Sequence, residues 1–195
     1  TLPEDSQSVA PDKDIAVVTG TSAVWTLTGG CGEGGYDALV PIEQMGKDFF
    51  ITRSNGDIIE FAIVVADSAG TNVFVDGALM ATLNEGETYR VSYNTALPGE
   101  TRYIQTSRGA YVYQSSGGGC EYGFSLIPPV PCLGTREVIF QDFDAGYRVM
   151  VVYRAGGSLI LNGVDITPAV PNLVVGNTDW ASHTFTRGGG SGVFQ

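Results

Sequence analysis

The sequence predicts an all-β fold, an antiparallel β-sandwich or jelly-roll-like arrangement with essentially no helix. Three observations predict it. Short runs rich in Val, Ile, Phe, Tyr and Thr recur along the chain, each bounded by Gly, Asn, Asp or Pro. The dipeptides Asn55-Gly56, Asp76-Gly77 and Asn162-Gly163 suit type I′ hairpin turns, whose central residues both take positive φ. No stretch keeps a helical period.

Residues 1–14, TLPEDSQSVAPDKD, are polar, acidic and proline-containing, and read as a leader or linker. Expected strands follow at 15–18 (IAVV), 23–27 (AVWTL), 48–53 (DFFITR), 58–66 (IIEFAIVVA), 72–76 (NVFVD) and 88–93 (TYRVSY). They continue at 102–106 (RYIQT), 110–114 (AYVYQ), 136–141 (REVIFQ), 147–153 (YRVMVVY), 158–162 (SLILN) and 184–187 (TFTR). Each carries β-branched or aromatic residues, which pack well on a pleated surface. The stretch AYVYQSSGGGCEYGFSLIPPVPCLG, residues 110–134, interrupts this rhythm: a strand breaks into glycines, meets a cysteine and enters a proline corner with a second cysteine.

Composition agrees with a turn-rich β protein. Charged residues make up 16% of the 195-residue chain, below the roughly 25% usual in soluble domains, while glycine reaches 27 residues. The formal charge of −11 argues against nucleic acid or an anionic membrane surface as partner, since both require a basic footprint. No apolar run reaches the roughly 18 residues that a spanning helix needs, so no membrane insertion is expected. No signal sequence opens the chain; for a secreted protein it has been removed, or the chain is a piece of something longer.

Two segments of the chain match in order and nearly in spacing. "PIEQMGKDFFI…FAIVVADSAGTNVFVDG", from Pro41 to Gly77, parallels "PVPCLGTREVIF…VMVVYRAGGSLILNG", from Pro129 to Gly163. In both, Pro leads to Gly (Gly46, Gly134), then two β runs, Ala-Gly, and an apolar strand closed by Asp-Gly or Asn-Gly. Val24-Trp25, Val112-Tyr113 and Val193-Phe194 mark a further recurrent element. The expected organisation is two tandem related β units, 15–114 and 115–195, with one continuous domain as the alternative and a C-terminal end that reads as truncated. The Gly/Cys stretches around Cys31 and Cys120 then serve as joints at the entry to each unit, with glycine allowing positive φ and close strand approach.

"YVYQSSGGGCEYGFSLIPPVPCLGTREVIF" followed by "VMVVYRAGGSLILNG" resembles the central signature of the IgGFc-binding protein N-terminal domain family. "CGEGGYDALVPIEQMGKDFF" is similar to that family's Cys…Pro-x-x-x-x-Gly-[Lys/Thr]-x-Phe segment. The resemblance runs from about residue 24 to 195. It implies an extracellular, secreted or cell-surface β module of adhesin-like and mucus-associated proteins. The animal namesake binds immunoglobulin Fc, and that ligand is not carried over to this chain.

The residues offer little for catalysis. His183 is the only histidine and the cysteines show neither C-x-x-C spacing nor a partnering His cluster, so nothing marks a zinc site, and neither a G-x-S-x-G elbow nor a P-loop is present. The remaining enzymatic option is a carboxylate pair: Asp142 and Asp144 around Phe143, or Glu33 and Asp37 at the first joint. Asp142 and Asp144 also suit a calcium loop, because a hard cation takes several oxygens at once, or they are a turn with no ligand. Calcium is the one cofactor this pattern suggests. Two disulfides are open for the three cysteines. Cys120–Cys132 would close a 12-residue loop and contribute about 3 kcal/mol, and Cys31–Cys120 would tie the joints together; the first is favoured. Tyr36 and Tyr122, one in each joint, are the candidate ligand-binding aromatics.

The function expected is a non-catalytic extracellular binding or adhesion module of a larger adhesin-like protein, with an extracellular protein or glycan as partner. The alternative is a structural filament or surface-layer subunit that self-assembles by strand exchange, and a glycan-active enzyme is third.

Overall fold

The computed structural model describes residues 16–25, 32–54, 60–94, 97–118, 121–132, 135–142, 147–187 and 190–194. As the sequence predicts, the fold is all-β and antiparallel, with two single 3₁₀ turns and no α-helix among the described residues. Val18–Trp25 (β1) and Gly32–Ala38 (β2) form a hairpin with a register shift between Thr21 and Val24. The 3₁₀ turn Ile42–Gln44 then leads into Gly46–Thr52 (β3), Phe61–Ala66 (β4), Thr71–Val75 (β5), Ala78–Leu83 (β6) and Thr88–Ser92 (β7). Thr101–Gly118 (β8) and Glu121–Leu126 (β9) complete a first set.

β8 joins the two layers of this set. Its first half lies between β3 and β5, with Ile104 opposite both Phe49 and Val75. Its second half lies between β4 and β9, with Tyr113 opposite Ile63 and Leu126. β6 extends the first layer beyond β5, and β7 the second beyond β4. One face of each layer is apolar because side chains alternate along a strand. β5 accordingly buries Thr71, Val73 and Val75, and β4 buries Ala62, Val64 and Ala66. These meet Phe49, Ile51, Ile104 and Val112 in one core, each large side chain contributing about 1.5–3 kcal/mol by leaving water.

A second set follows the 3₁₀ turn Val130–Cys132: Val138–Asp142 (β10), Tyr147–Arg154 (β11), Ile160–Leu161 (β12), Val164–Asp165 (β13), Asn172–Leu173 (β14), Trp180–Arg187 (β15) and Gly190–Phe194 (β16). Its pairing repeats that of the first. β10–β16–β12–β13 mirrors β3–β8–β5–β6, and β11–β15 mirrors β4–β7. Pairing therefore sets β16 against the first half of β8, half a strand earlier than the Val-aromatic alignment of the sequences, which set it against Val112-Tyr113. Tyr153, Leu159 and Ala181 form a small core here. A third cluster joins the sets, with Phe50 and Tyr103 packed against Val174, Val152 and Trp180.

Two of the three expected hairpin turns are present as expected: Asp76 and Gly77 take φ of 53° and 85°, and Asn162 and Gly163 take 50° and 79°. Asn55-Gly56 lies outside the described residues. Other boundaries differ from the expectation. The runs at 102–106 and 110–114 are one strand, because Ser107, Arg108 and Gly109 continue it instead of turning. The glycine-rich stretch at Cys120 is flanked by β8 and β9 as a hairpin, since glycines are no bar to pairing when both neighbours supply backbone partners.

Candidate functional site: the groove at the ends of two linked strands

Each joint contributes a strand, and the fold brings the two strands together. β2 follows Cys31, and β9 follows Cys120. The Leu126 N–H donates to Asp37 Oδ2 at 2.6 Å, and the Ala38 N–H donates to Asp37 Oδ1 at 2.8 Å. Asp37 thus links the end of β2 to the end of β9 with both carboxylate oxygens. Tyr111, on β8, donates its hydroxyl to the Val40 carbonyl and fixes the segment that leaves β2. Ile127 N–H donates to the Val112 carbonyl at 2.8 Å, which holds the start of the proline corner against β8.

Between these segments lies a groove of about 250 Å³. Val40, Gln44 and Met45 form one wall, Leu126 to Pro129 the other, and Phe49, Ala110 and Tyr111 the floor. The 3₁₀ turn is set by Pro41 at φ −54° and by Met45 N–H donating to the Ile42 carbonyl at 3.0 Å. Gly46 has to be glycine: a Cβ there would lie 2.0 Å from Pro129 Cβ. The groove exists in this shape because the strand start and the proline corner touch at that point.

One phenol, Tyr111, and one acidic side chain, Asp37, line the groove, and Tyr113 follows on β8 outside the lining. Burial, then Asp37 and Tyr111, pushes the Tyr113 phenol up to about 12. Burial, then Asp67 and Glu43, raises Tyr111. Such a surface can take an apolar, aromatic or sugar-ring face and orient it with a few polar groups. Its lining residues include no nucleophile paired with a base.

The candidate residues named from sequence fall as follows. The Tyr36 backbone sits on β2 opposite Gly20, and the Tyr122 backbone on β9 opposite Gly117; their side chains lie outside the described residues. Cys132 ends a 3₁₀ turn, and Asp142 ends β10 opposite Gly190, again without described side chains. Cys31, Cys120 and Asp144 lie outside the described residues. Among the described residues no group of three His, Cys, Asp or Glu side chains is placed to hold a metal. His183 is half-buried on β15 and stacks on Phe185 at 5.9 Å.

Sequence reasoning missed one polar centre. Glu60 is 1% exposed and accepts from Ser54 N–H at 2.9 Å, from the Ser54 hydroxyl and from Gly117 N–H at 3.2 Å. Beside it, Gln114 clamps the Thr52 backbone through both its amide atoms, and the Ser115 hydroxyl does the same for Phe61. These side chains stand in for a missing strand where β3 leaves the sheet and β4 enters. The signal in the sequence was a lone glutamate inside the apolar run IIEFAIVV.

A family model described as IgGFc binding protein matches residues 6–193. No curated protein and no solved structure matches the chain. The match spans nearly the whole of both strand sets, including every residue that lines the groove, and the chain belongs to the IgGFc-binding protein family, a family of extracellular binding domains.

Proposed function

We propose that the chain is a non-catalytic adhesion module of a larger secreted or cell-surface protein, and that it engages an extracellular protein or glycan through the groove at the ends of β2 and β9. One observation carries the reading: the strands that follow the two glycine-rich segments are bonded at their far ends, Leu126 to Asp37, beside one concavity, and the Tyr36 and Tyr122 backbones lie on those two strands. Such loops, held by a rigid sheet, are where binding residues concentrate. An apolar concavity with a few polar groups is the usual form of a recognition site. We further propose that the two strand sets are tandem related units with a shared junction at Phe50, Tyr103 and Trp180.

The test is capture of immobilised immunoglobulin Fc, extracellular glycoproteins and free oligosaccharides by the wild-type chain and by Gln44→Arg, Tyr36→Ala and Tyr122→Ala. Gln44 is exposed at the groove wall, so arginine there obstructs the groove without entering the core. Capture lost in these variants with the fold intact is the expected result. Capture unchanged in all three, or turnover of an oligosaccharide, overturns the reading.

A further inference from the structure

We infer that the groove at the ends of β2 and β9 takes an arginine side chain presented by an extracellular partner protein. The inference rests on the groove being the binding site and names the chemistry that it selects. Val40 and Met45 line one wall and Leu126 to Pro129 the other, so the groove offers apolar surface to the methylene stem of a long side chain. Tyr111 is held in the floor by the hydrogen bond from its hydroxyl to the Val40 carbonyl, and supplies an aromatic ring for a planar cation. Arg90 and Arg154 make such contacts elsewhere in the fold, 4.0 Å and 4.3 Å from the ring centroids of Phe61 and Trp180.

Three carboxylates bear on this groove. Asp37 lines it, and Glu43 is exposed on the 3₁₀ turn that builds one wall. Asp67 lies two residues past Val65, which is opposite Tyr111, and its N–H donates to the Gly109 carbonyl at 3.3 Å. Their reach shows in the two phenols: burial, then Asp67 and Glu43, raises Tyr111, and burial, then Asp37, raises Tyr113. Among the described residues no lysine, arginine or histidine lines the groove, and none acts on either phenol in the opposite sense. Tyr93 shows the contrary case, since burial, Glu60 and Glu100 raise it while Arg53 and Arg102 act against them. Of the cations close by in the chain, Arg108 extends to Gly70, its Nη2 4.0 Å from where a Cβ there would lie, and Lys47 is exposed on β3 outside the lining.

A negative field over an apolar, aromatic floor selects a cation with an organic body. A neutral sugar gains nothing from the field and an anion is repelled. A second copy of a chain with net charge −11 brings no attraction of its own. Lysine carries the same charge as arginine, but on a compact and strongly hydrated ammonium, whereas the guanidinium is planar, more weakly hydrated and stacks on rings. Arginine is therefore the better occupant, and it is among the residues that anchor protein interfaces.

The probes are the end-blocked peptide Gly-Gly-Arg-Gly-Gly, its lysine analogue and its citrulline analogue, which keeps the shape of arginine without the charge. Each is titrated against the isotope-labelled whole chain while backbone amide shifts are followed. The expected result is saturable shifts at Met45, Leu126 and Ile127 with the arginine peptide, weakening with salt, and binding about fivefold or more weaker by citrulline and weaker also by lysine. Gln44→Glu adds a carboxylate at the exposed wall and should tighten arginine binding about twofold; Glu43→Gln combined with Asp67→Asn should loosen it about threefold, and neither should change the citrulline peptide. Equal binding by arginine and citrulline, no shift with arginine, or arginine shifts confined to another face overturns the inference. The groove reading stands or falls separately, on whether a captured partner shifts the groove amides. Lysine binding as tightly as arginine assigns the attraction to charge alone and overturns the choice of arginine. The three peptides are compared on the wild-type chain, so the inference stays testable should a variant fail to fold.

Discussion

Replacing Gly46 with alanine tests the contact that shapes the groove. A Cβ at this position would lie 2.0 Å from Pro129 Cβ and 2.7 Å from its Cγ. The shortest ordinary separation is about 3.4 Å, so the proline corner has to retreat by about 1.4 Å. Overpacking of this kind costs about 1–3 kcal/mol. Alanine also restricts the unfolded chain, which returns about 0.4–1 kcal/mol. Gly46 does not take positive φ, so no backbone strain is added. The net loss should be about 1–2 kcal/mol, or a fall in Tm of about 2–8 °C for a chain of this size. The assay is urea unfolding of wild type, Gly46→Ala, Pro129→Gly and the double variant. Pro129→Gly removes the ring, leaving Cα at 3.4 Å, so the double variant should recover the alanine penalty as a coupling of about 1–2 kcal/mol. Gly46→Ala as stable as wild type, or purely additive single effects, would refute the reasoning.

Three further outcomes are expected. Glu60→Ala leaves the Ser54 and Gly117 N–H groups without their acceptor beside the buried Arg53 and should cost about 3 kcal/mol or more in urea unfolding; a change under about 1 kcal/mol would contradict the role given to Glu60. Tyr153→Phe removes a buried hydroxyl that has no hydrogen-bond partner among the described residues, and the variant should be as stable as wild type or about 1 kcal/mol more stable, whereas a large loss would show a partner for that oxygen. Burial, followed by the Asp48 hydrogen bond and charge, pushes Tyr103 up to about 12 from 10.0, and Tyr113 rises to about 12 as well. A folded-state value above the unfolded one gives stability that is complete below pH 10.0 and is lost as the pH climbs toward 12, so unfolding free energy should fall across that window and fall less in Tyr103→Phe. A flat profile would contradict both shifts.

The strands of the first core were legible because their burial obeys a period of two: FAIVVA and NVFVD carry their inward residues at alternate positions. β6 was not, since ALMATL has little β-branching and four of its six side chains are exposed. β13 and β14 are only two residues each and expose both side chains, which leaves no hydrophobic pattern to read. The recurrence of Pro, Gly and hairpin turns exposed a repeated pairing scheme, but similar residues misplaced its last strand, because Val-aromatic pairs suit any half-buried strand. The two joints were visible as glycine and cysteine clusters. The contact between the strands that follow them was not, because it rests on the Asp37 side chain reaching an N–H 89 residues away, and no local pattern encodes such a contact. Glu60, Gln114 and Ser115 were passed over for the same reason: each serves a backbone group distant in sequence.

The most direct measurement is a backbone amide shift map of the isotope-labelled chain on addition of the immunoglobulin Fc, glycoprotein or oligosaccharide that it captures. Binding through the groove predicts shifts concentrated between Asp37 and Met45 and between Tyr122 and Ile127, with the Asp37-bonded Leu126 amide among the largest. Shifts confined to another face, such as the β14–β15 side around His183, would contradict it.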